Sequence, residues 1–285
     1  MRILSWSFVA LAACGAPSRN NGDDQPTVDA PVKVYEDAPA QQMDNSRVYA
    51  HSGTTLYRID TVTLNPVMIG DMSAGLGAQS LTDLAVDKND KMVGITLDKL
   101  YGIDTTSGAV TLIKDLSASA QNLTSLSYIP TDLDDPNSAD ILVSANSFGD
   151  VFQIDPATGN ATKLGNYGKN ANSEQIKSSG DLVGIRGLGI FATVNIGDNT
   201  TTDYLAQIDP ATWVATPIGG QAGIGYAKIF GLGYWAGKFY GFVDGGAGAG
   251  KIVSIDQHTG TGSLLGSGTI RWYGAGVTTD APILE

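Results

Sequence analysis

One short segment occurs five times along the 285 residues: Leu56-Tyr57-Arg58-Ile59-Asp60, Leu100-Tyr101-Gly102-Ile103-Asp104, Val151-Phe152-Gln153-Ile154-Asp155, Leu205-Ala206-Gln207-Ile208-Asp209 and Ile252-Val253-Ser254-Ile255-Asp256. Each is an apolar strand that stops at Ile-Asp, and a repeat of this length is one supersecondary unit that buries its apolar face only against neighbouring copies. The turn after the strand is clearest in Asp155-Pro156-Ala157-Thr158-Gly159, which leads into a second strand at Asn160. An Asp at the head of a turn accepts backbone N–H groups, Pro presets φ, and Gly takes the left-handed position that ends such loops. The segment is one hairpin, five times over. Two copies depart from this pattern, with Leu64 and Trp213 where the others have Gly, which leaves the turn geometry of those blades open.

Ahead of each repeated strand lie two further apolar segments: 81–86 with 91–96, 123–129 with 140–145, 181–186 with 189–195, and 229–235 with 238–243. The unit is therefore a four-stranded meander, its strands A to D in chain order. Four units are complete in the linear chain and the fifth is split. Its strands B, C and D fall at 47–50, 56–60 and 66–69, and the missing strand A is supplied by Arg271 to Val277, which has no strand B after it. Successive repeat Asp residues stand 44, 51, 54 and 47 residues apart, and the spacing wrapped across the two ends is 43, so the junction keeps the period. A ring closed this way leaves no free sheet edge at the seam. The expected fold is all-β: a five-bladed β-propeller of four-stranded antiparallel blades, with a C-terminal strand joining the N-terminal blade.

Composition agrees. Glycine numbers 36, and the acidic residues are 26 Asp and 3 Glu (Glu36, Glu174 and Glu285), a bias toward turns rather than helices. A net charge of −12 with 17 scattered basic residues excludes nucleic acid as a partner, since phosphate contacts need clustered Lys and Arg. With one cysteine there is no intramolecular disulfide and no cysteine-rich zinc site.

The blades' hydrophobic-Tyr-x-Ile-Asp-x-x-Thr-Gly segment resembles the YVTN/quinoprotein-like propeller repeats of secreted bacterial proteins, over Arg47 to the C-terminus. This resemblance implies a fold but no one activity, because such blades host unrelated functions.

The N-terminus reads as an address. Arg2 precedes an apolar run from Ile3 to Ala13 that is too short to span a bilayer, and Leu11-Ala12-Ala13-Cys14 resembles a bacterial lipobox. That resemblance implies a signal peptide at 1–13, lipid attachment at Cys14 and membrane anchorage in the cell envelope. Gly15 after the cysteine leans, by resemblance to known lipoproteins, to the outer membrane or cell surface. Residues 14–46, rich in Pro, Asn, Asp and Gln, read as a tether with an end-to-end distance of roughly 30 Å. The propeller domain takes 47–285.

In such a ring the A strands line the central channel, while the D–A and B–C loops share one face. Those loops (71–80, 167–178, 197–203 and 244–250) are long and varied, and binding residues concentrate on such loops. Aligned on their core residues, the A strands place Asp83, Ser125, Asp181, Gly231 and Gly274 at one channel level. Asp83, Ser125 and Asp181 are the candidate channel ligand site, for a hard cation or a polar ligand, or else for ordered water. Asp132, Asp134, Asp135 and Asp140 on an A–B loop are candidate calcium ligands, without the fixed spacing of an EF-hand. Tyr234, Trp235, Trp272 and Tyr273 are the candidate aromatic binding patch, or else blade packing. His51 and His258 are too few for a histidine metal site and read as surface or structural residues.

No Gly-x-Ser-x-Gly elbow is present, and no residue is assigned as catalytic. The expected function is a membrane-anchored extracytoplasmic binding or scaffold protein that recognises a protein, peptide or glycan through its loop face. The alternative is a carbohydrate-active hydrolase or glutaminyl-cyclase-like enzyme using acidic residues in the channel. Such enzymes employ paired carboxylates, here Asp83 and Asp181.

Overall fold

Alternating apolar residues bounded by Asp and Gly turns make every segment after Arg47 a short strand. The structure, a computed structural model, describes residues 46–246 and 250–279; Cys14, the leader and nearly all of the tether lie outside them. The chain opens with β1 (Val48–His51), β2 (Thr55–Ile59) and β3 (Pro66–Asp71), followed by one helical turn, α1 (Ser73–Leu76). Next come β4 (Asp83–Val86), β5 (Met92–Ile95), β6 (Lys99–Ile103) and β7 (Val110–Asp115), then β8 (Ser127–Pro130), β9 (Asp140–Ala145), β10 (Asp150–Ile154) and β11 (Ala161–Asn166). The chain continues with β12 (Ile176–Ile185), β13 (Gly189–Ile196), β14 (Tyr204–Ile208) and β15 (Ala215–Pro217). It ends with β16 (Ile229–Trp235), β17 (Lys238–Val243), β18 (Gly250–Ile255), β19 (Gly262–Gly268) and β20 (Gly274–Val277).

These strands form five antiparallel sheets of four, the first in the order β20-β1-β2-β3 and the others consecutive. The protein is a five-bladed β-propeller. Counted in chain order, the first blade is the split one: β20 pairs with β1 from Val48↔Val277 to His51↔Gly274. Beyond the last rung the Arg47 amide donates to Thr278 Oγ1 at 3.0 Å, and the Thr278 amide donates to the Arg47 carbonyl at 3.1 Å. Each inner strand packs on the next around the ring, β4 on β8, β8 on β12, β12 on β16, β16 on β20 and β20 on β4. The core is a set of apolar clusters between adjacent blades, for example Leu84, Met92 and Leu56 between the first two.

Four inner strands differ in extent from the expected ones, the second blade's only in starting two residues late, at Asp83. The third blade's is broken at Thr124 and Ser125, whose amides both turn to the Ala145 carbonyl, so only Ser127–Pro130 is regular. The fourth blade's begins early, at Ile176, and carries a bulge between Ser178 and Leu182. The closing strand is shorter than 271–277 because Arg271 is drawn aside by Asp244, while the Tyr273 amide still donates to the His51 carbonyl.

The five C–D turns are alike. In each, Oδ1 of the repeat Asp accepts the amides two and three residues on, as Asp155 does from Ala157 at 2.8 Å and Thr158 at 3.1 Å. These bonds hold all five carboxyls below the usual carboxylate range, with Asp104 at about 2. Leu64 and Trp213 keep the same turn geometry: their φ values of 61° and 62° match the 72°, 69° and 67° of Gly108, Gly159 and Gly260. The side chains explain why the strain is tolerated. Trp213 is 7% exposed in the core of the fourth blade, against Gly165, where even an added Cβ would stand 2.9 Å from it. Leu64 is only half-buried.

Left-handed backbone costs an L residue roughly 1–2 kcal/mol, whereas emptying a buried Trp site costs about 3–5 kcal/mol. Trp213→Gly is therefore expected to destabilise the protein by about 2 kcal/mol, and Leu64→Gly to leave it nearly unchanged, as read from urea denaturation midpoints. Equal effects at the two turns would contradict this account.

Candidate functional site: the loop face and the acid pair at the axis

Strands A begin at the loop face, so their first side chains meet at the ring axis. Asp83 opens β4 and Asp181 lies in β12, two blades that are not neighbours, yet their carboxyls hydrogen-bond to each other. Each is also held by two backbone amides. Asp83 Oδ1 accepts Leu84 N at 2.8 Å and Oδ2 accepts Leu126 N at 2.7 Å, from the next blade. Asp181 repeats the arrangement with Leu182 at 2.6 Å and Leu232 at 2.7 Å. Both side chains are fully buried, and burial pushes both carboxyls well above the ordinary range. Two like groups this close share a proton rather than both ionising.

His51 ends β1 beside them. It is 0% exposed, and its Nδ1 donates to the Ser52 carbonyl at 2.7 Å, which leaves Nε2 a bare acceptor with no partner among the described residues. Burial lowers its pKa to about 4, so it is neutral at physiological pH. A Cβ on Gly274 would stand 2.4 Å from His51 Nε2 and 2.5 Å from Asp83 Oδ1, which places the two groups side by side and explains why this position is glycine. The Tyr167 hydroxyl is also buried and unpartnered among the described residues, and the charge of Asp181 reinforces burial in raising its pKa.

The structure thus brings Asp83 and Asp181 together but not Ser125, whose Oγ accepts Ala145 N at 2.8 Å within its own blade. Gly231 is no ligand position either: a Cβ there would come within 2.7 Å of Ala275 on the neighbouring inner strand. At the other mouth of the channel, inner-strand residues including Tyr128, Ile185, Tyr234 and Val277 leave a space of only about 10 Å³. There Arg186 binds Asp140 and the carbonyls of Ser138 and Thr279, and Thr279 Oγ1 donates to Asp140 Oδ2 at 2.8 Å. Asp140 is thereby committed to a clasp across the ring. Asp132 and Asp135 each accept an amide of their own loop, and among the described residues no three His, Cys, Asp or Glu side chains gather as a metal site.

The four expected patch aromatics are not a patch. Trp235 is fully buried and stacks on Tyr240 at 3.5 Å, Trp272 meets Tyr57 and Phe242 edge-on, and Tyr234 packs on Phe239. Blade packing claims all three. Only Tyr273 is partly exposed, with Arg271 over its ring at 5.6 Å and Phe230 at 6.2 Å.

Open space lies instead among the loops. A cavity of about 360 Å³ sits between Ser80, Thr82, Thr96, Asp98 and Tyr273. A second, of about 520 Å³, opens around the fourth blade between the loops carrying Asn170 to Glu174, Asn199 and Gln221, with Tyr204 in its wall. Both belong to the D–A and B–C face. The sequence marked these loops by length and variety, but not which of their residues converge, because the walls come from segments dozens of residues apart.

No protein-family profile and no curated protein sequence matches the chain. Among solved structures, a protein of unknown function from Bacteroides caccae is similar at a TM-score of 0.48 and 10% identity, over 81% of this chain and 98% of that one. An auxiliary nutrient binding protein from Bacteroides thetaiotaomicron is similar at 0.45 and 13%, over 79% and 58%. The calcium-binding protein regucalcin from Agrobacterium tumefaciens is similar at 0.42 and 14%, over 75% and 66%.

The acid pair has a pH signature. A carboxyl whose pKa rises on folding contributes stability that is fully present below its unfolded value, near 4, and lost as pH rises through the folded value. Asp83→Asn keeps only the Asp181 titration, and its amide NH₂ opposes one backbone N–H, at a cost of about 1–3 kcal/mol. At pH 5 the variant is expected to be less stable by that amount. The gap should then narrow by up to about 1.4 kcal/mol for each pH unit across the window in which Asp83 ionises. A gap that stays constant from pH 5 to 9 would contradict a shared proton.

Proposed function

We propose that this chain is a binding module anchored at the cell envelope through a lipid on Cys14, recognising a protein, peptide or glycan with the D–A and B–C loop face of its propeller. The state of the axis carries this reading. Asp83 and Asp181, the only carboxyls at channel centre among the described residues, are fully buried and saturated by four backbone amides and by each other. General acid–base work requires a group within reach of substrate, and these two are sealed inside the ring. The cavities of about 520 and 360 Å³ and the partly exposed Tyr273 lie on the loop face, while one of about 290 Å³ runs along the outer seam between the first and fifth blades.

The seam of the ring supports the same reading. Arg47 and Thr278 exchange hydrogen bonds at an A–B junction, so Arg47, where the tether joins the ring, lies on the face opposite the two loop cavities. Among the described residues no helix is long and apolar enough to cross a membrane, and a lipid would serve as the anchor. A lipid on that side would favour an orientation with the clasp of Arg186 and Asp140 toward the bilayer and the loop face outward, against free tumbling on a tether of roughly 30 Å.

Metabolic labelling with a palmitate analogue is expected to mark the chain and to fail with Cys14→Ser; unchanged labelling of the variant would remove the anchor. In liposomes carrying the native anchor, a bulky thiol reagent should label a cysteine at Asn199 several-fold faster than one at Asn137. For the face itself, glycan and peptide arrays should show capture that is lost with loop-face substitutions such as Tyr273→Ala and kept with Asn137→Ala. Capture lost only on the A–B face, or turnover of an array substrate abolished by Asp83→Asn, would overturn the reading.

A further inference from the structure

The larger loop-face cavity has a constructed chemistry. Glu174 is gripped at both ends by Asn170: its amide donates to Asn170 Oδ1 at 2.9 Å, and its Oε2 accepts Asn170 Nδ2 at 2.7 Å. Its other oxygen, Oε1, lies against Gly197, where an added Cβ would stand 3.2 Å away. Asn170 thus engages one oxygen of the carboxylate, and Oε1 has no hydrogen-bond partner among the described residues. Across the cavity the Tyr204 hydroxyl is held between Asn199 Nδ2 and the Gln221 carbonyl, at 3.2 Å each. Asn172 and Gln221 line the same space, and their side-chain amides are hydrogen-bonded to nothing among the described residues. Ile196 and Pro217 supply the apolar part of the wall.

We propose that this pocket binds a neutral saccharide of one or two rings, with Glu174 Oε1 accepting from sugar hydroxyls and the amides of Asn172 and Gln221 both donating and accepting. The inference rests on the loop-face reading and names its ligand. Charge, ligand number and desolvation argue in turn against anions, metal cations and apolar ligands. No Lys or Arg lines the cavity, and Glu174 together with a net charge of −12 repels anions. A single carboxylate is too little for a metal cation, which takes several oxygen ligands. An apolar ligand would strip water from two amides and a carboxylate without replacing their hydrogen bonds. Sugar hydroxyls, each a donor and an acceptor, match all three groups, and about 520 Å³ is within the range of small-ligand sites.

The test is calorimetric titration of the full chain with maltose, cellobiose, lactose, chitobiose, glucose and glucuronate. At least one neutral sugar is expected to bind, with glucuronate weaker than glucose. Asn172→Ala and Gln221→Ala should each weaken binding about tenfold. Glu174→Gln should weaken neutral sugars and narrow their preference over glucuronate. All three side chains are exposed, so thermal unfolding should not change. Sugar binding that survives these substitutions but is lost with Tyr273→Ala would overturn this pocket and leave the loop-face reading standing. Peptide capture on the loop face with no sugar bound would overturn the saccharide and leave that reading standing as well. No binding of either kind would overturn both.

Discussion

The pairing of β20 with β1 is the constraint on which the rest of the structure depends. Four rungs join residues 48–51 to 274–277, and through them the first blade gains its inner strand. Without that strand the ring would carry an open seam with unpaired N–H and C=O groups on β1, and the apolar residues between the first and fifth blades, Trp235, Trp272 and Phe242 among them, would lose a wall. Closure also brings Arg47 and Thr278 together on one face, since strands A and B of the same blade come from opposite parts of the sequence.

Closure creates a second problem, at the axis. Five inner strands converge there, and the edge amides of Leu126 and Leu232 need acceptors. Asp83 and Asp181 supply them from the preceding blade. Asp203 does the same for Ile229, and Asp244 holds Arg271 through two bonds at 2.8 Å. Acidic side chains on the loop side thus stitch one blade to the next. That use leaves no accessible acid at the axis among the described residues, and the cavities around Ser80 and Glu174 lie among the loops, where the walls are built from backbone turns fixed by their own side chains.

The repeat, the blade count and the split blade could all be read from the sequence, because each depends on a period and on local alternation that tertiary contacts do not alter. The alignment of inner strands correctly put Asp83 and Asp181 at one level. It could not separate them from Ser125, because a break in the strand at Thr124 turns that hydroxyl to its own blade. His51 was legible in principle, since its rung partner is Gly274, but nothing local distinguishes a buried strand-end His from an exposed one. Leu64 and Trp213 broke the turn pattern in letters and not in geometry, their left-handed backbone held by contacts from the adjacent blade. The aromatic cluster failed as a surface patch for a related reason: alternation gives the face of a strand, and both faces of a propeller blade are covered by neighbours. The pocket around Glu174 and Gln221 had no sequence signal beyond loop length, since three loops from different parts of the chain must be assembled before its chemistry exists.

Equilibrium urea unfolding of the chain ended at Ile270, compared with the full chain, tests the closure most directly. Removing β20 takes away the rungs to β1, the approach of Gly274 to Asp83 and the Thr279 half of the clasp to Arg186 and Asp140. The shortened chain should lose the single cooperative transition, with a much lower midpoint or no folded baseline. A shortened chain that unfolds at the same midpoint with the same slope would contradict the closure.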